Sequence, residues 1–543
     1  MKTTFWILIA LLMATTSFAQ HQHATQEKSE KLLTGLGNYH HPVSTKNSEA
    51  QKYFDQGFNL IYAFNHEEAI RSFRKAIELD PNMLMAYWGI AYALGPNINQ
   101  EVDPEREKQA YDAVQKAITL SSTAPENERA YVEALAKRYS NDPKADLKKL
   151  AVEFKDAMKV LMERYPDDLD LAVLYADSLM NLRPWKLWKP DGKPEEGTEE
   201  IVSVLESVLK RAPMHPGANH LYIHAVEASL QPERALPSAQ RLETLVPAAG
   251  HLVHMPAHIY IRTGNFAEAA EQNEAAISAD QNYFKESGVQ QGFYPTMYYN
   301  HNIHFLSFAR SMQGRFNDAK KAADQVVANA LTHVKEMPML DGLTPTSMLV
   351  LLRFRKWNDV LNVPKPGVGM PITMALWHYG RALAYARTSR ISNADKTQLM
   401  FEQALVEVPQ DALIGLNPAS AVLKVAESLL RAEIALAKKN PDAPALFKKA
   451  IEAEDLVTYD EPPDWYYPIR ESYGAILLQS GRAVDAEKVF REDLEKNPGN
   501  GRSLFGLMES LKAQNKQSDA RWVQQQFEEA WKHADTTLRI QDL

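Results

Sequence analysis

The segment SEAQKYFDQGFNLIYAFNHEEAIRSFRKAIELDP, residues 48–81, decides the fold. Its apolar residues recur every three or four positions, a spacing that indicates amphipathic α-helices. Gly57 has no side chain, so the first helix can approach a second one closely. Pro81 closes the segment because proline cannot continue a helix. The segment therefore predicts a hairpin of two helices, and no part of the chain shows the strict alternation that is typical of a strand.

The same segment resembles the tetratricopeptide repeat, a helical hairpin of about 34 residues. The matching positions are Gly57, Tyr62, Ala69, Phe73, Ala76 and Pro81. Similar units recur over most of residues 45–535, with Gly89 and Gly474 as further small residues at helix contacts. One hairpin cannot bury its apolar stripe alone, so stacked neighbours share a continuous core. The resemblance implies an all-α fold, a tetratricopeptide-type helical-hairpin solenoid.

The repeats and their interruptions predict five regions. They are a signal peptide at 1–19, a flexible leader at 20–46, an N-terminal array with a histidine-lined groove at 47–335, divergent helical repeats at 336–460, and C-terminal repeats at 461–543. Insertions at 95–108 and 181–200 interrupt the first array, and we expect each to be either a functional lid or an apolar plug. The aromatic segment 465–467 is expected to pack as core between repeats, with a position facing the groove as the alternative.

The first 19 residues have the charged start, short apolar run and small-residue end of a secretory signal peptide. We expect cleavage near Ala19 and a periplasmic or secreted protein. The chain has no cysteine, so it has neither a lipid-attachment cysteine nor a disulfide. Its net charge of −9 comes without any basic block, which argues against nucleic acid or an anionic membrane surface as a partner. The apolar run at 5–13 is too short to span a membrane, so no stable membrane insertion is expected. The sequence carries no signal of oligomeric state.

Histidines are concentrated in one part of the chain. Of sixteen in 543 residues, seven lie between positions 220 and 304. Their spacings of three, four and seven residues put each set on one face of its helix. The seven are His220, His224, His251, His254, His258, His301 and His304.

The family resemblance implies which face this is. In tetratricopeptide hairpins the first helix lines the concave groove, and the seven histidines match groove-lining positions of three successive repeats. Glu227 and Asp177 match such positions as well, so carboxylates are expected to border the cluster. Pro256, between His254 and His258, is expected to cost a backbone hydrogen bond and bend its helix.

Imidazoles converging from neighbouring helices favour a transition-metal site. Neutral imidazole is a common metal ligand, and histidine with carboxylate suits copper, zinc or iron rather than calcium or magnesium. Two alternatives stay open: a groove that binds a peptide or small molecule without metal, and a hydrogen-bonded polar core. The five histidines that stand alone are expected to be structural or solvated; they are His66, His215, His333, His378 and His533.

No catalytic motif accompanies the cluster, because the sequence has no phosphate loop, dinucleotide-binding glycine pattern, nucleophile elbow or thiol. Seven imidazoles exceed the four ligands of a closed zinc site, so either two metals bind or some histidines contact substrate. The sequence thus favours a metal-dependent enzyme, a hydrolase or an oxidoreductase. The rival hypothesis is a non-enzymatic protein, either a peptide-binding scaffold or a periplasmic metal carrier.

Overall fold

The structure is a computed structural model that describes residues 31–543. The expected signal peptide at 1–19 lies outside the described residues. The described chain is built from helices, as predicted, and they follow one another as antiparallel neighbours. The first eight helices are α1 Ser48–Tyr62, α2 His66–Leu79, α3 Leu84–Leu94, α4 Pro104–Leu120, α5 Glu126–Ala136, α6 Leu147–Arg164, α7 Leu169–Met180 and α8 Thr198–Arg211.

The central part of the chain carries the histidine-rich helices. They are α9 Pro216–Val226, α10 Leu236–Leu245, α11 Gly250–His254, α12 Pro256–Thr263, α13 Phe266–Ser287, α14 Tyr299–Met312 and α15 Phe316–His333, with a π-helical turn at Tyr294–Tyr298. Because α9, α11 and α14 are first helices of successive hairpins, their inner faces border one common space.

The last part contains ten helices and one minimal antiparallel ladder. The helices are α16 Thr346–Arg353, α17 Trp357–Asn362, α18 Pro371–Arg387, α19 Ile391–Val406, α20 Ala419–Ala437, α21 Ala443–Asp455, α22 Ile469–Gln479, α23 Ala483–Lys496, α24 Gly501–Ala513 and α25 Gln517–Ala530. The strands are β1 Leu413–Ile414 and β2 Asn417–Pro418. Short 3₁₀ turns occur at Ser121–Thr123, Pro232–Ala235, Pro338–Gly342 and Ile540–Asp542.

Several close helix contacts form where an aromatic ring fills the space above a glycine. A Cβ added at Gly57 would lie 2.7 Å from the Phe73 ring, and one at Gly89 would lie 2.5 Å from it. Phe73 on α2 is fully buried between the two. Near the other end of the chain, Gly474 and Gly506 hold the Phe490 ring in the same way. Side chains at these glycines would push neighbouring hairpins apart.

The solenoid closes so that its C-terminal repeats touch its central ones. A Cβ at Gly264, where φ is +83°, would lie 2.5 Å from the backbone oxygen of Pro498. A Cβ at Gly314 would lie 2.3 Å from the Trp531 ring. The turns after α12 and α14 therefore pack directly against the last repeats.

The structure corrects the prediction of a flexible leader at 20–46 for its described part. In residues 31–46, the Tyr39 hydroxyl donates to Asp170 Oδ1 on α7 at 2.6 Å, and His41 Nδ1 lies 2.6 Å from Asp170 Oδ2. The segment follows the surface of the array because these polar partners offset the entropy lost on ordering.

The two insertions fold over the same region of the array. The end of the first, residues 104–108, is already the first turn of α4, while the start forms a turn near Asn99. In the second, residues 181–200, the Trp185 indole N–H donates to Asn99 Oδ1 at 3.1 Å. The insertions thus contact each other, and the second one lies against α9.

The helix that carries the three central histidines is interrupted, as expected from Pro256. Helix α11 ends at His254 and α12 begins at Pro256, with Met255 between them. Proline has no N–H to donate, so the backbone ladder is lost at this point. Within residues 31–543, no helix combines the length and the hydrophobicity that crossing a bilayer requires.

We predict that Trp465→Ala lowers the free energy of unfolding by about 3–5 kcal/mol, because it removes a large buried ring. Trp465 is 6% exposed and packs 5.8 Å from the Tyr379 ring. Chemical denaturation followed by circular dichroism measures the change. Trp522, 66% exposed on α25, is the matched control, and Trp522→Ala should leave stability nearly unchanged. Equal effects of the two substitutions would contradict the assignment of Trp465 to the core.

Candidate metal centre

Six of the seven predicted histidines come together between α9, α11, α12 and α14. They form two groups of three in which each residue offers one ligand atom within 4.8 Å of the others. The first group is His220, His224 and His251, and the second is His254, His258 and His301. The first five of these side chains are buried, and His301 is partly buried.

Within each group, imidazole nitrogens face one another directly. His251 Nε2 lies 3.2 Å from His220 Nε2 in the first group. His254 Nε2 lies 2.8 Å from His258 Nε2 in the second. Two such nitrogens can share one proton, or they can bind one ion between them. The groups lie side by side, since the ring centroids of His224 and His258 are 5.4 Å apart.

The outer nitrogens of the same rings are held by oxygen acceptors. His220 Nδ1 lies 2.6 Å from the backbone oxygen of Tyr62, at the end of α1. His254 Nδ1 lies 2.7 Å from Asn273 Oδ1 on α13, whose Nδ2 donates to the Ala269 carbonyl. Because an oxygen acceptor requires the proton on Nδ1, the lone pair of Nε2 points inward. This is the second-shell arrangement that orients metal-binding histidines.

Glu227 connects the two groups. Its Oε1 lies 2.7 Å from His224 Nδ1, and its Oε2 lies 2.6 Å from His258 Nδ1. It is 1% exposed, so these two imidazoles are its main charge partners. The three residues also form a group that could itself hold an ion. The sequence placed this carboxylate at the border of the cluster, and the structure puts it between the two groups.

A second carboxylate reaches the centre from a distant part of the chain. Glu461, in the loop between α21 and α22, places Oε2 at 2.6 Å from His258 Nδ1 and is 4% exposed. The neighbouring Tyr459 hydroxyl lies 3.4 Å from Glu227 Oε2. Glu461 is not among the residues that the sequence predicts for the site, although a position facing the groove is one alternative for the aromatic segment 465–467 beside it.

Burial controls the charge of the cluster. Burial, together with neighbouring imidazoles, holds the pKa of His220, His251, His254 and His301 well below its usual range. These rings are therefore neutral at pH 7, which is the form that binds a metal.

The pKa values of Glu227 and His258 are instead shifted in the directions that favour the charged forms. Burial would raise the pKa of Glu227, but His258 and His224 lower it to about 2. Burial would lower the pKa of His258, but Glu227 and Glu461 raise it to about 10. Burial also raises the pKa of Glu461 to about 8. Without a bound cation, the ionised Glu227 is thus balanced by a protonated His258, and burial favours the neutral form of Glu461.

Two of the predicted residues lie away from the metal-capable groups. The His304 ring is stacked on Tyr466 at 6.1 Å, and burial lowers its pKa to about 4. Asp177 accepts hydrogen bonds from Tyr92 and Asn181 and borders a small cavity next to His220. Neither side chain belongs to one of the histidine groups.

The second insertion covers the outer side of the centre. The Trp185 ring stands nearly perpendicular to the His224 ring, with 5.3 Å between their centroids. The Trp188 indole N–H donates to the Ala225 carbonyl on α9 at 2.8 Å. Both tryptophans line a small cavity that ends at His224 and Glu227. The insertion at 181–200 therefore lies where a lid over the centre would lie.

A fourth group that could hold an ion lies at the N-terminal end of the described chain, with His41, Asp168 and Asp170 as members. Asp170 lies close to the Tyr39 and Tyr62 hydroxyls and to His215 Nε2, in addition to His41. The oxygens of this carboxylate thus already have hydrogen-bond donors from the protein. The inward-facing nitrogens of the centre face other imidazoles instead. The group fastens residues 31–46 to α7.

Successive antiparallel helix pairs around a common inner surface define an α-solenoid of helical hairpins. The family profile described as "Tetratricopeptide repeat" matches residues 50–83, the hairpin of α1 and α2. The chain therefore contains a tetratricopeptide repeat at residues 50–83 within this helical solenoid. No curated protein sequence matches it.

Several solved structures are similar over most of the chain. Human IFIT1, as a dimer with m7Gppp-AAAA, is 15% identical over 91% of this chain and 92% of its own, with a TM-score of 0.32. Yeast Tom70 is 10% identical over 87% and 90%, with a TM-score of 0.30. The TPR domain of P58(IPK) is 13% identical over 86% and 99%, with a TM-score of 0.22. Similarity at this level does not bear on what the present chain binds.

We predict that the metal-free protein loses stability as the pH falls from about 6.5 to 4. Buried histidines with a lowered pKa stay neutral in the folded state, while the unfolded chain takes up protons below pH 6.5. Each such group contributes a slope of up to about 1.4 kcal/mol per pH unit. His304→Phe should make the decline shallower, and His533→Phe, at an exposed position, should not. Urea unfolding at several pH values measures the slopes; identical slopes for both variants would contradict the burial of a neutral His304.

Proposed function

We propose that this protein holds a two-metal transition-metal centre inside its solenoid and acts as a metal-dependent enzyme, a hydrolase or an oxidoreductase. The two groups of three histidines would each hold one ion. We further propose that the protein works in the periplasm or outside the cell after removal of a signal peptide near Ala19. The apolar N-terminal run and the absence of cysteine support this location.

The observation that carries the proposal is the orientation of the imidazoles. Nδ1 of His220, His224, His254 and His258 faces an oxygen of the protein, so Nε2 is the nitrogen that each ring turns to the interior of the cluster. In the neutral rings of His220 and His254 this nitrogen carries a lone pair, and His258 would release its proton when an ion binds. A hydrogen-bonded polar core would pair each ring nitrogen with a complementary group, but His224 Nε2 and His251 Nδ1 are buried without a hydrogen-bond partner among residues 31–543. Other ring nitrogens face nitrogens, at 2.8 Å in the second group and 3.2 Å in the first.

The donor set favours particular metals. Six imidazole nitrogen donors suit copper, zinc or iron, whereas calcium and magnesium prefer oxygen. Three protein ligands for each ion leave a position open for water or substrate, as in catalytic sites. A bound metal would supply Lewis-acid activation of water, or oxygen chemistry if it is copper or iron.

The chain's own residues would then perform three tasks. Glu227 holds His224 and His258 in fixed orientation and adds negative charge beside both groups. The Trp185 ring and the apolar walls keep bulk water away from His224. The insertions that meet at Asn99 cover the outer side, so their opening would admit substrate.

A non-enzymatic metal carrier is the second candidate, and the burial of the centre favours it. His220 and His254 are fully buried, as a protein that sequesters an ion requires. A peptide-binding scaffold is less well supported, because it would present its groove residues to solvent. Turnover separates enzyme from carrier: oxygen consumption with a reductant tests the copper- or iron-loaded protein, and hydrolysis of activated esters tests the zinc-loaded protein.

We predict that His254→Ala lowers bound transition metal by at least one equivalent per chain and leaves the helical content unchanged. The substitution removes an inward-facing nitrogen, while the fold is held by the apolar contacts between hairpins. Elemental analysis of the purified protein and circular dichroism measure the two effects. Excess Zn²⁺ or Cu²⁺ should also raise the melting temperature of the unsubstituted protein, because only the folded state presents the site.

His378→Ala is the matched control, since this histidine stands alone beside Trp377 on α18. It should alter neither metal content nor melting. The proposal fails if the unsubstituted protein holds less than about 0.2 equivalents of any transition metal and gains no stability from added Zn²⁺ or Cu²⁺. It also fails if His254→Ala keeps the full metal content.

A further inference from the structure

The two histidine groups differ in the protein groups that face the outer nitrogens of their imidazole rings. In the group of His254, His258 and His301, one outer nitrogen faces the Asn273 amide oxygen and another lies 2.6 Å from each of two carboxylates, Glu227 and Glu461. Both carboxylates are buried. This group therefore has two carboxyl groups behind its ligands, whereas the other group has one.

The group of His220, His224 and His251 has weaker support. His220 faces only a neutral backbone carbonyl, and His224 shares the Glu227 carboxylate with the other group. His251 Nδ1 has no hydrogen-bond partner within residues 31–543. Its outer nitrogen is thus held by no acceptor, whereas the outer nitrogens of His254 and His258 are held by specific acceptors.

A carboxylate behind a ligating imidazole strengthens the bond to the metal in two ways. It makes the ring a better electron donor, and its charge attracts the cation through the ring. Glu227 accepts the hydrogen bond from His258 Nδ1, and Glu461 adds a second carboxyl group at the same distance. A cation bound to this group would favour the ionised form of Glu461. Since Glu227 backs one histidine of each group, Glu461 is the carboxylate that makes the groups unequal.

We propose that the two metal positions have different affinities, that the group of His254, His258 and His301 fills first, and that Glu461 is the positioning residue that sets this order. The inference rests on the proposed two-metal centre and goes beyond it. It assigns a role to the loop between α21 and α22, which contributes to a site otherwise built from the central repeats. The order of filling is a property of metal binding and does not depend on which reaction follows.

The test is a titration of the metal-free, full-length protein with Zn²⁺, followed by calorimetry, and with Co²⁺, followed by visible absorption. We expect two separate steps in the unsubstituted protein. Glu461→Gln keeps the size of the side chain and removes its charge, so the tighter step should weaken about 10–100-fold, the range typical of lost second-shell partners. The weaker step should stay within about threefold, and the Co²⁺ spectrum of the first equivalent should change.

Three further variants make the outcome specific. His251→Ala should abolish the weaker step alone, which assigns that step to its group. Glu227→Gln should weaken both steps, because Glu227 backs both groups. Asp464→Asn is the matched control from the same loop; it accepts a hydrogen bond from Asn417 and should leave both steps unchanged.

Two equal steps in the unsubstituted protein, or an unchanged tighter step in Glu461→Gln, would overturn the inference while leaving a two-metal centre intact. Loss of the tighter step in His251→Ala would overturn the proposed order. A complete lack of binding by the unsubstituted protein would overturn the metal centre itself. Melting curves of each metal-free variant show whether the fold is kept, and His251→Ala tests the order independently if Glu461→Gln fails to fold.

Discussion

The close approach of neighbouring hairpins is the constraint on which the rest of the structure depends. Phe73 fits between Gly57 and Gly89 because neither residue has a side chain. The first helices of two successive hairpins therefore both pack against the Phe73 ring. Packed helices lie about 8–10 Å apart, which is within reach of two facing imidazoles. The histidines of α9, α11, α12 and α14 converge because of this spacing between helices as much as because of their positions in the sequence.

Burial then determines the protonation states of the side chains in the cluster. Taken out of water, four of the imidazoles lose the ability to hold a proton at neutral pH, while Glu227 stays ionised because two rings donate to it. The interior therefore combines neutral nitrogen donors with fixed negative charge. Outside the pair of Glu227 and His258, Glu461 adds an acidic group that a bound cation would neutralise. Few arrangements of buried polar groups are stable without such compensation.

The local periodicity of the sequence was sufficient to predict the fold and most of the histidine cluster. The repeat spacing predicted helical hairpins, and the intervals between histidines predicted which of them share a face; six of the seven do come together. His304 departs from the pattern because Tyr466, from the distant C-terminal segment, stacks on it. Glu461 could not have been predicted, since its sequence context shows only acidic residues beside prolines. The packing of residues 31–46 likewise depends on Asp170, far along the chain.

The closure of the solenoid has a consequence for the order of events during synthesis. The Tyr459 hydroxyl and Glu227 are 232 residues apart in the chain, yet they meet at the same histidines. Contacts of such long sequence separation form slowly, and chains emerge from the ribosome with their N-terminal part first. The central repeats can therefore fold before the loop that completes their interior exists. A nascent chain passes through a stage in which the histidines are assembled but still open on one side, and the last repeats close that opening.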